Sequence, residues 1–261
     1  MRPLALITND DGISSPGIIA AAEAVDGFAD LLIVAPVEQK SHAGRSIPHS
    51  RDLGTLERIE VIINGRPREA FGVNSTPAAA VALAVLAITT RPIDLCVSGI
   101  NYGENIGYIF TGSGTIGAAL EASSHQIPAL AVGLEVEVGT QMSSDFFEHD
   151  FSQCKRAIRH FGEKLLSEGL PGDIRVLNIN VPSDANDATE YRVTKQSSQN
   201  YYEFTITEGM SVNTALGLKE YKAFDERTLE PDSDVFVLAR QRCISVTPLS
   251  GNLTALSSYS L

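Results

Sequence analysis

Basic charge is scarce in this 261-residue sequence, where 20 Lys and Arg stand against 32 Asp and Glu for a formal net charge of −12. A chain this acidic does not grip long nucleic acid through its phosphates. One metal ion or helix terminus can still invert the field locally for a small anion. Cysteine is sparse as well. Cys96, Cys154 and Cys243 are odd in number and far apart, which argues against a disulfide framework or a metal knuckle and suits reduced packing thiols of a cytoplasmic protein. No long apolar run is present: the longest, Ala78 to Ile88, is alanine-rich and too short to span a bilayer. It reads as a buried helix, and no membrane association is expected. Met1-Arg2-Pro3 passes straight into an apolar stretch, so no signal peptide is expected either. Internal repeats and low-complexity tracts are missing. So are a G-x-G-x-x-G fingerprint after the first strand and the G-K-[ST] of a P-loop.

The hydrophobic content of 43% is enough for the core of one large α/β domain with an appendage. Strand and helix signals alternate over the first 135 residues. Leu4–Ile7 reads as a strand, Gly17–Val25 as a helix, and Leu31–Pro36 as a strand buried on both faces. Two strands within 51–73 turn at Asn64-Gly65, a hairpin signal. Thr76 is placed as N-cap and Pro77 at the first position of the next helix. Asp94–Asn101 is the next strand, a glycine-rich loop follows, "SGTIGAALEASSH" opens a helix, and Ala129–Leu134 is a strand. Phe151, Cys154, Ile158, Phe161 and Leu165 keep helical spacing up to Gly169, a terminator. Ile174–Pro182 and "CISVTPL" read as strands. Such alternation implies parallel βαβ units, hence a doubly wound three-layer sandwich. Residues 190–225 carry strand-like runs with too few apolar side chains for a core of their own, and exposed hairpins of this kind tend to pair with another chain.

Ligands of open parallel sheets bind outside the carboxyl ends of the strands, and four polar clusters fall at that edge. In the first, "TNDDG", Asp10 and Asp11 are adjacent and would repel each other if buried together. A divalent cation of the Mg²⁺, Mn²⁺ or Ca²⁺ kind would neutralise them, since hard oxygen donors suit such ions; capping of the following helix is the plainer alternative. "APVEQKSHAGRS" follows the second strand. "SGINYGENIG" and "FTGSGT" gather glycines, amides and hydroxyls in front of a helix, which forms an anion cradle without net positive charge. A cation site beside an anion cradle suggests metal-assisted phosphoryl hydrolysis.

Taken in order and spacing, "ITNDDGI…PGI", "APVEQKS", "STPAAAV", "DLCVSGINYGENIG", "SGTIGAALEA…IPALAV", "LNINVP" and "ISVTPL" resemble the SurE family (survival protein SurE, metal-dependent 5′/3′-nucleotidases) along essentially the whole chain. The resemblance implies a Rossmann-like α/β core over 1–189, with a mainly parallel sheet. It also implies a β-rich extension over 190–261 that exchanges between subunits of a homodimer or homotetramer. It implies one divalent cation per subunit on Asp10, Asp11, Ser41 and Asn101, with the two aspartates catalytic, and phosphate held by Asn105, Ser113, Gly114 and Thr115. Substrates would be nucleoside 5′- and 3′-monophosphates, yielding nucleoside and phosphate, with short polyphosphate as a side substrate. The sequence departs from the family where His42 follows the ligand serine in place of a small residue. It departs again where alanines follow Thr76-Pro77 in place of an acid and a cysteine. Neither change touches an implied ligand.

His42 is a candidate auxiliary proton donor to the leaving alkoxide, because histidine titrates in the useful range, or else a plain rim residue. Arg45 is a candidate phosphate partner or a solvated loop residue. His49, His125, His149 and His160 are scattered and carry no assigned role. A haloacid-dehalogenase-like phosphatase needs its second Asp two residues after the first, whereas here the acids are adjacent. A nucleoside hydrolase expects a longer chain with more aspartates in the first loop. A non-catalytic, metal-dependent nucleotide sensor would keep the cradle and lack hydrolysis.

Overall fold

Every residue of the first strand, Leu4–Thr8 (β1), is buried, as its unbroken apolar run requires. The computed structural model describes residues 1–48, 53–140, 149–206 and 218–254. The further strands are β2 (Asp30–Pro36), β3 (Leu56–Ile63), β4 (Arg66–Val73), β5 (Leu95–Tyr102), β6 (Ala129–Leu134), β7 (Ile174–Val181), β8 (Tyr191–Val193), β9 (Tyr202–Ile206), β10 (Leu218–Lys222) and β11 (Ile244–Ser250). The helices are α1 (Pro16–Val25), α2 (Pro77–Leu83, continued by a π-helical turn to Ile88), α3 (Gly114–Ser124), α4 (Ser152–Glu168) and α5 (Asp234–Ala239). His49 and residues 207–217, part of the stretch 190–225 read as strand-like from the sequence, lie outside the described residues.

The main sheet runs β3-β4-β2-β1-β5-β6-β7-β11-β8. From β4 to β7 all neighbours are parallel, while β3 and β11 run antiparallel to β4 and β7. This is the mainly parallel three-layer α/β fold that the alternation predicts. The chain leaves β1 toward β2 and later returns to β1's other side with β5, so the strand order reverses between β1 and β5. The crevice beyond their carboxyl ends is where ligands of such sheets bind.

Helix starts follow the caps in the sequence. Ser15, Thr76 and Ser113 each accept a hydrogen bond from a first-turn N–H, with Pro16 and Pro77 at the opening of α1 and α2. The β3–β4 turn uses Asn64 and Gly65, both with positive φ (48° and 72°), as a two-residue hairpin requires. α1 and α4 cover one face of the sheet through Ile18, Val25, Ile158 and Leu165. α2 and α3 cover the other through Ala80, Val81, Ile116 and Ala119.

Two features go beyond the sequence reading. Tyr201 and Tyr202 do enter a core, built jointly with Ile106, Leu229, Val235 and Leu238. The extension therefore packs Tyr201 and Tyr202 against its own α5, a short helix that the sequence reading does not anticipate, and against Ile106 from the loop after β5. Cys96 and Cys154 are buried, but Cys243 is only partly so, its thiol turned to the Gln241 carbonyl.

Candidate active site

Each of the two polar turns at the strand reversal is stapled by its own side chains. Asn9 donates from Nδ2 to the Gly12 carbonyl (3.1 Å) and to Ser15 Oγ (2.7 Å), while its Oδ1 accepts from the Gly12 N–H. Gly12 takes φ +105°, which other residues rarely adopt. This knot fixes the two acids that sit between Asn9 and Gly12.

Asp10 and Asp11 are each only 4% exposed. The Asp10 carboxylate rests on the N-terminus of α3. The Thr115 hydroxyl donates to its Oδ1 at 2.6 Å, and Thr115's backbone N–H assists. Gly114 leaves room, since a Cβ there would stand 2.7 Å from Asp10 Oδ2. Asp11 accepts from Gln39 Nε2 (2.8 Å) and from the Tyr102 backbone N–H (3.1 Å). Burial raises the pKa of both carboxyls. For Asp11 the neighbouring Asp10 charge adds to burial, and together they push it up to about 7. Two buried acids that resist joint ionisation need a cation, or a proton, between them.

The cleft above Asp10 is narrow, about 60 Å³, and its lining includes Asp10, Ser41, Asn101, Glu104, Asn105 and Ser113, together with His42, Ile109 and Tyr202. Asn101 Nδ2 donates to the Gly103 carbonyl (2.8 Å), leaving its Oδ1 as the group available to a ligand. Asn105 is fixed on three sides. Its N–H donates to Asn180 Oδ1 (2.7 Å), its carbonyl accepts from Asn178 Nδ2 (2.7 Å), and its Oδ1 accepts from Ser113 Oγ (2.5 Å). Among the described residues its Nδ2 is buried without a partner. An amide donor locked in place and unsatisfied costs free energy unless a ligand takes it up.

The structure thus brings Asp10, Ser41, His42, Asn101, Asn105 and Ser113 to one cleft and seats Asp11 beside them. Gly114 and Thr115, read from sequence as phosphate groups, stand behind Asp10 instead, because the helix N-terminus already holds that carboxylate. Arg45 is committed elsewhere, its Nε pairing with Glu121 at 2.8 Å. Gln39, Asn178 and Asn180 escaped the sequence reading. The alternation Asn178-x-Asn180 on a buried strand puts two amides on one face and was the available signal.

The residues suit a divalent cation. Asp10, Ser41 and Asn101 offer oxygen donors around the cleft, and Asp11 adds a second carboxylate. Hard oxygen sites of this kind favour Mg²⁺, Mn²⁺ or Ca²⁺ over zinc. Among the described residues no group of three or more His, Cys, Asp and Glu gathers here or elsewhere, so a cation at this cleft would draw on hydroxyl and amide oxygens beside the two aspartates. Nor is any described helix long and apolar enough to cross a membrane.

Comparison with known proteins bears on the chain as a whole. The family model described as survival protein SurE matches residues 5–203. The 5′-nucleotidase SurE of Thermococcus kodakarensis is 34% identical over 256 residues, covering 97% of this chain and 95% of that one. The 5′-nucleotidase SurE of Methanocorpusculum labreanum is 36% identical over 263 residues, covering 98% and 95%. The crystal structure of the SurE protein from Aquifex aeolicus superposes with a TM-score of 0.74 at 27% identity, covering 97% of this chain and 95% of that one. Sequence and fold agree over nearly the full length, and the chain belongs to the SurE family.

Proposed function

We propose that this chain is a divalent-metal-dependent phosphomonoesterase that releases phosphate from nucleoside 5′- and 3′-monophosphates, with short polyphosphate as a side substrate. The observation that carries the reading is the partnerless amide of Asn105 in the same small cleft as the Asp10 carboxylate. One group asks for an anion and the other for a cation. The names of the relatives as 5′-nucleotidases support the substrate class.

Phosphoryl transfer is mainly a matter of positioning and charge relief. Asn105 Nδ2 would hold a phosphoryl oxygen, with Ser113 Oγ fixing the amide's orientation. Asp10, Ser41 and Asn101, with Asp11 alongside, would hold the cation, which when bound polarises a phosphoryl oxygen as a Lewis acid. Water attacks phosphorus and gives up one proton to solvent, the ester P–O bond breaks, and the leaving oxygen takes up a proton. His42, which lines the cleft, would be the auxiliary donor of that proton. Residues 190–261 would join two or more copies.

The test is phosphate release from a panel of 5′- and 3′-mononucleotides, with and without EDTA, across several divalent ions. The expected result is phosphate with intact nucleoside, abolished by EDTA. Free base in place of phosphate, or turnover indifferent to EDTA, would overturn the reading.

A further inference from the structure

A cleft of about 60 Å³ is several-fold smaller than the roughly 300–1,000 Å³ that enclose a whole small ligand. It admits a phosphoryl group and a cation, so the rest of any substrate must lie over the rim. That rim is aromatic. Alternation along β9 puts Tyr202, Phe204 and Ile206 on one face of the hairpin, and Tyr202 lines the cleft with His42 and Ile109. Phe204 stands next outward, its ring centroid 5.5 Å from that of His42 at an interplanar angle of 71°. Phe204 and Ile206 remain 49% and 45% exposed. His42 is held there by a backbone at φ +59°, a region non-glycine residues seldom adopt. Phe204 thus keeps about half of its surface open beside His42, which itself lines the cleft.

We propose that Phe204, braced by His42, is the platform on which the nucleobase of the substrate stacks. The inference rests on the phosphomonoesterase reading and adds its specificity element: a flat aromatic heterocycle one sugar away from the phosphate. Stacking is tolerant, because every base has a π face. The platform therefore accepts all bases and favours purines, which cover more of the ring.

The test compares AMP with ribose 5-phosphate, which keeps the phosphate and sugar and lacks the base. KM and kcat are measured for both, and Kd is measured for both by calorimetry. Phe204→Ala is expected to raise KM and Kd for AMP about tenfold, as loss of one base–aromatic stack implies, and to move those for ribose 5-phosphate less than twofold. Phe204→Trp restores AMP binding. Phe204→Leu, which keeps apolar contact with His42, guards against misfolding and is expected to behave like Phe204→Ala. Equal weakening of both ligands would mean a structural role for Phe204 and overturn the proposal, as would no change for either. A drop in mass by light scattering, with both ligands weakened, would mean that a second copy covers this face, and would overturn it too. The two readings fail separately. Lost base discrimination with turnover intact removes the platform alone. Absent turnover with base-dependent Kd values retained removes hydrolysis and leaves the platform supported.

Discussion

Thr115 looks from sequence like a phosphate ligand, yet its hydroxyl sits 2.6 Å from Asp10 Oδ1 and is fully buried. Thr115→Val should therefore weaken the cation, with little effect on inorganic phosphate. Partners that orient a ligand side chain are typically worth about 10–100-fold in metal affinity, and calorimetry with Mn²⁺ reads the loss directly. Asp11 supplies the pH dependence. Burial and the Asp10 charge raise it from its ordinary 3.8 to about 7. A raised carboxyl favours the fold while protonated, fully below about pH 3.8, and loses that contribution as pH rises through about 7. Cation binding needs the ionised form. Affinity should climb with pH up to about 7, with protons released on binding at pH 6 and hardly any at pH 8, as calorimetry in two buffers of different ionisation enthalpy would show. The residues that meet at the cleft were legible because they sit in short turns with several distinctive neighbours. Thr115's actual partner was not, since the sequence says where a helix starts but not what already rests on its N-terminus.

Between elements, one tie outside the cleft centres on Glu135, just after β6. Its carboxylate accepts from Arg242 near the start of β11, from the Ser183 N–H and hydroxyl, and from Lys222 at the end of β10. Burial opposes its ionisation, but these donors outweigh burial and bring its pKa down to about 2. A lowered carboxyl stabilises above its ordinary 4.5 and loses that contribution as pH falls toward about 2. Glu135→Gln should cost about 2 kcal/mol at pH 7, roughly 5 °C in Tm, with the gap closing between about pH 4.5 and about 2 in thermal melts. Strand and helix alternation made the main sheet readable far in advance. The six residues of α5 are too few for a period to show. The small core around Tyr201 draws on three separate stretches, so no single window could reveal it.

For the molecule as a whole, self-association through the C-terminal extension is the expectation to test. β9 and β10 stand apart from the main sheet as a two-stranded ribbon, and such ribbons are marginal alone. Tyr202 and Lys222 are paired opposite each other, so residues 203–221 can be replaced by Asn-Gly without stretching the chain. The intact protein should run as a dimer or larger in light scattering, and the shortened one as a monomer; a monomeric parent at micromolar concentration would count against exchange. β11 has a further consequence, for synthesis. It pairs Thr247 with Asn178 and Ser245 with Asn180 along β7, the strand whose amides grip Asn105. As the chain emerges from the ribosome, residues 182–243 are made in between. Through that interval β7 offers a bare flank to neighbouring nascent chains, and the cleft acquires its final bracing only when residues 244–250 arrive.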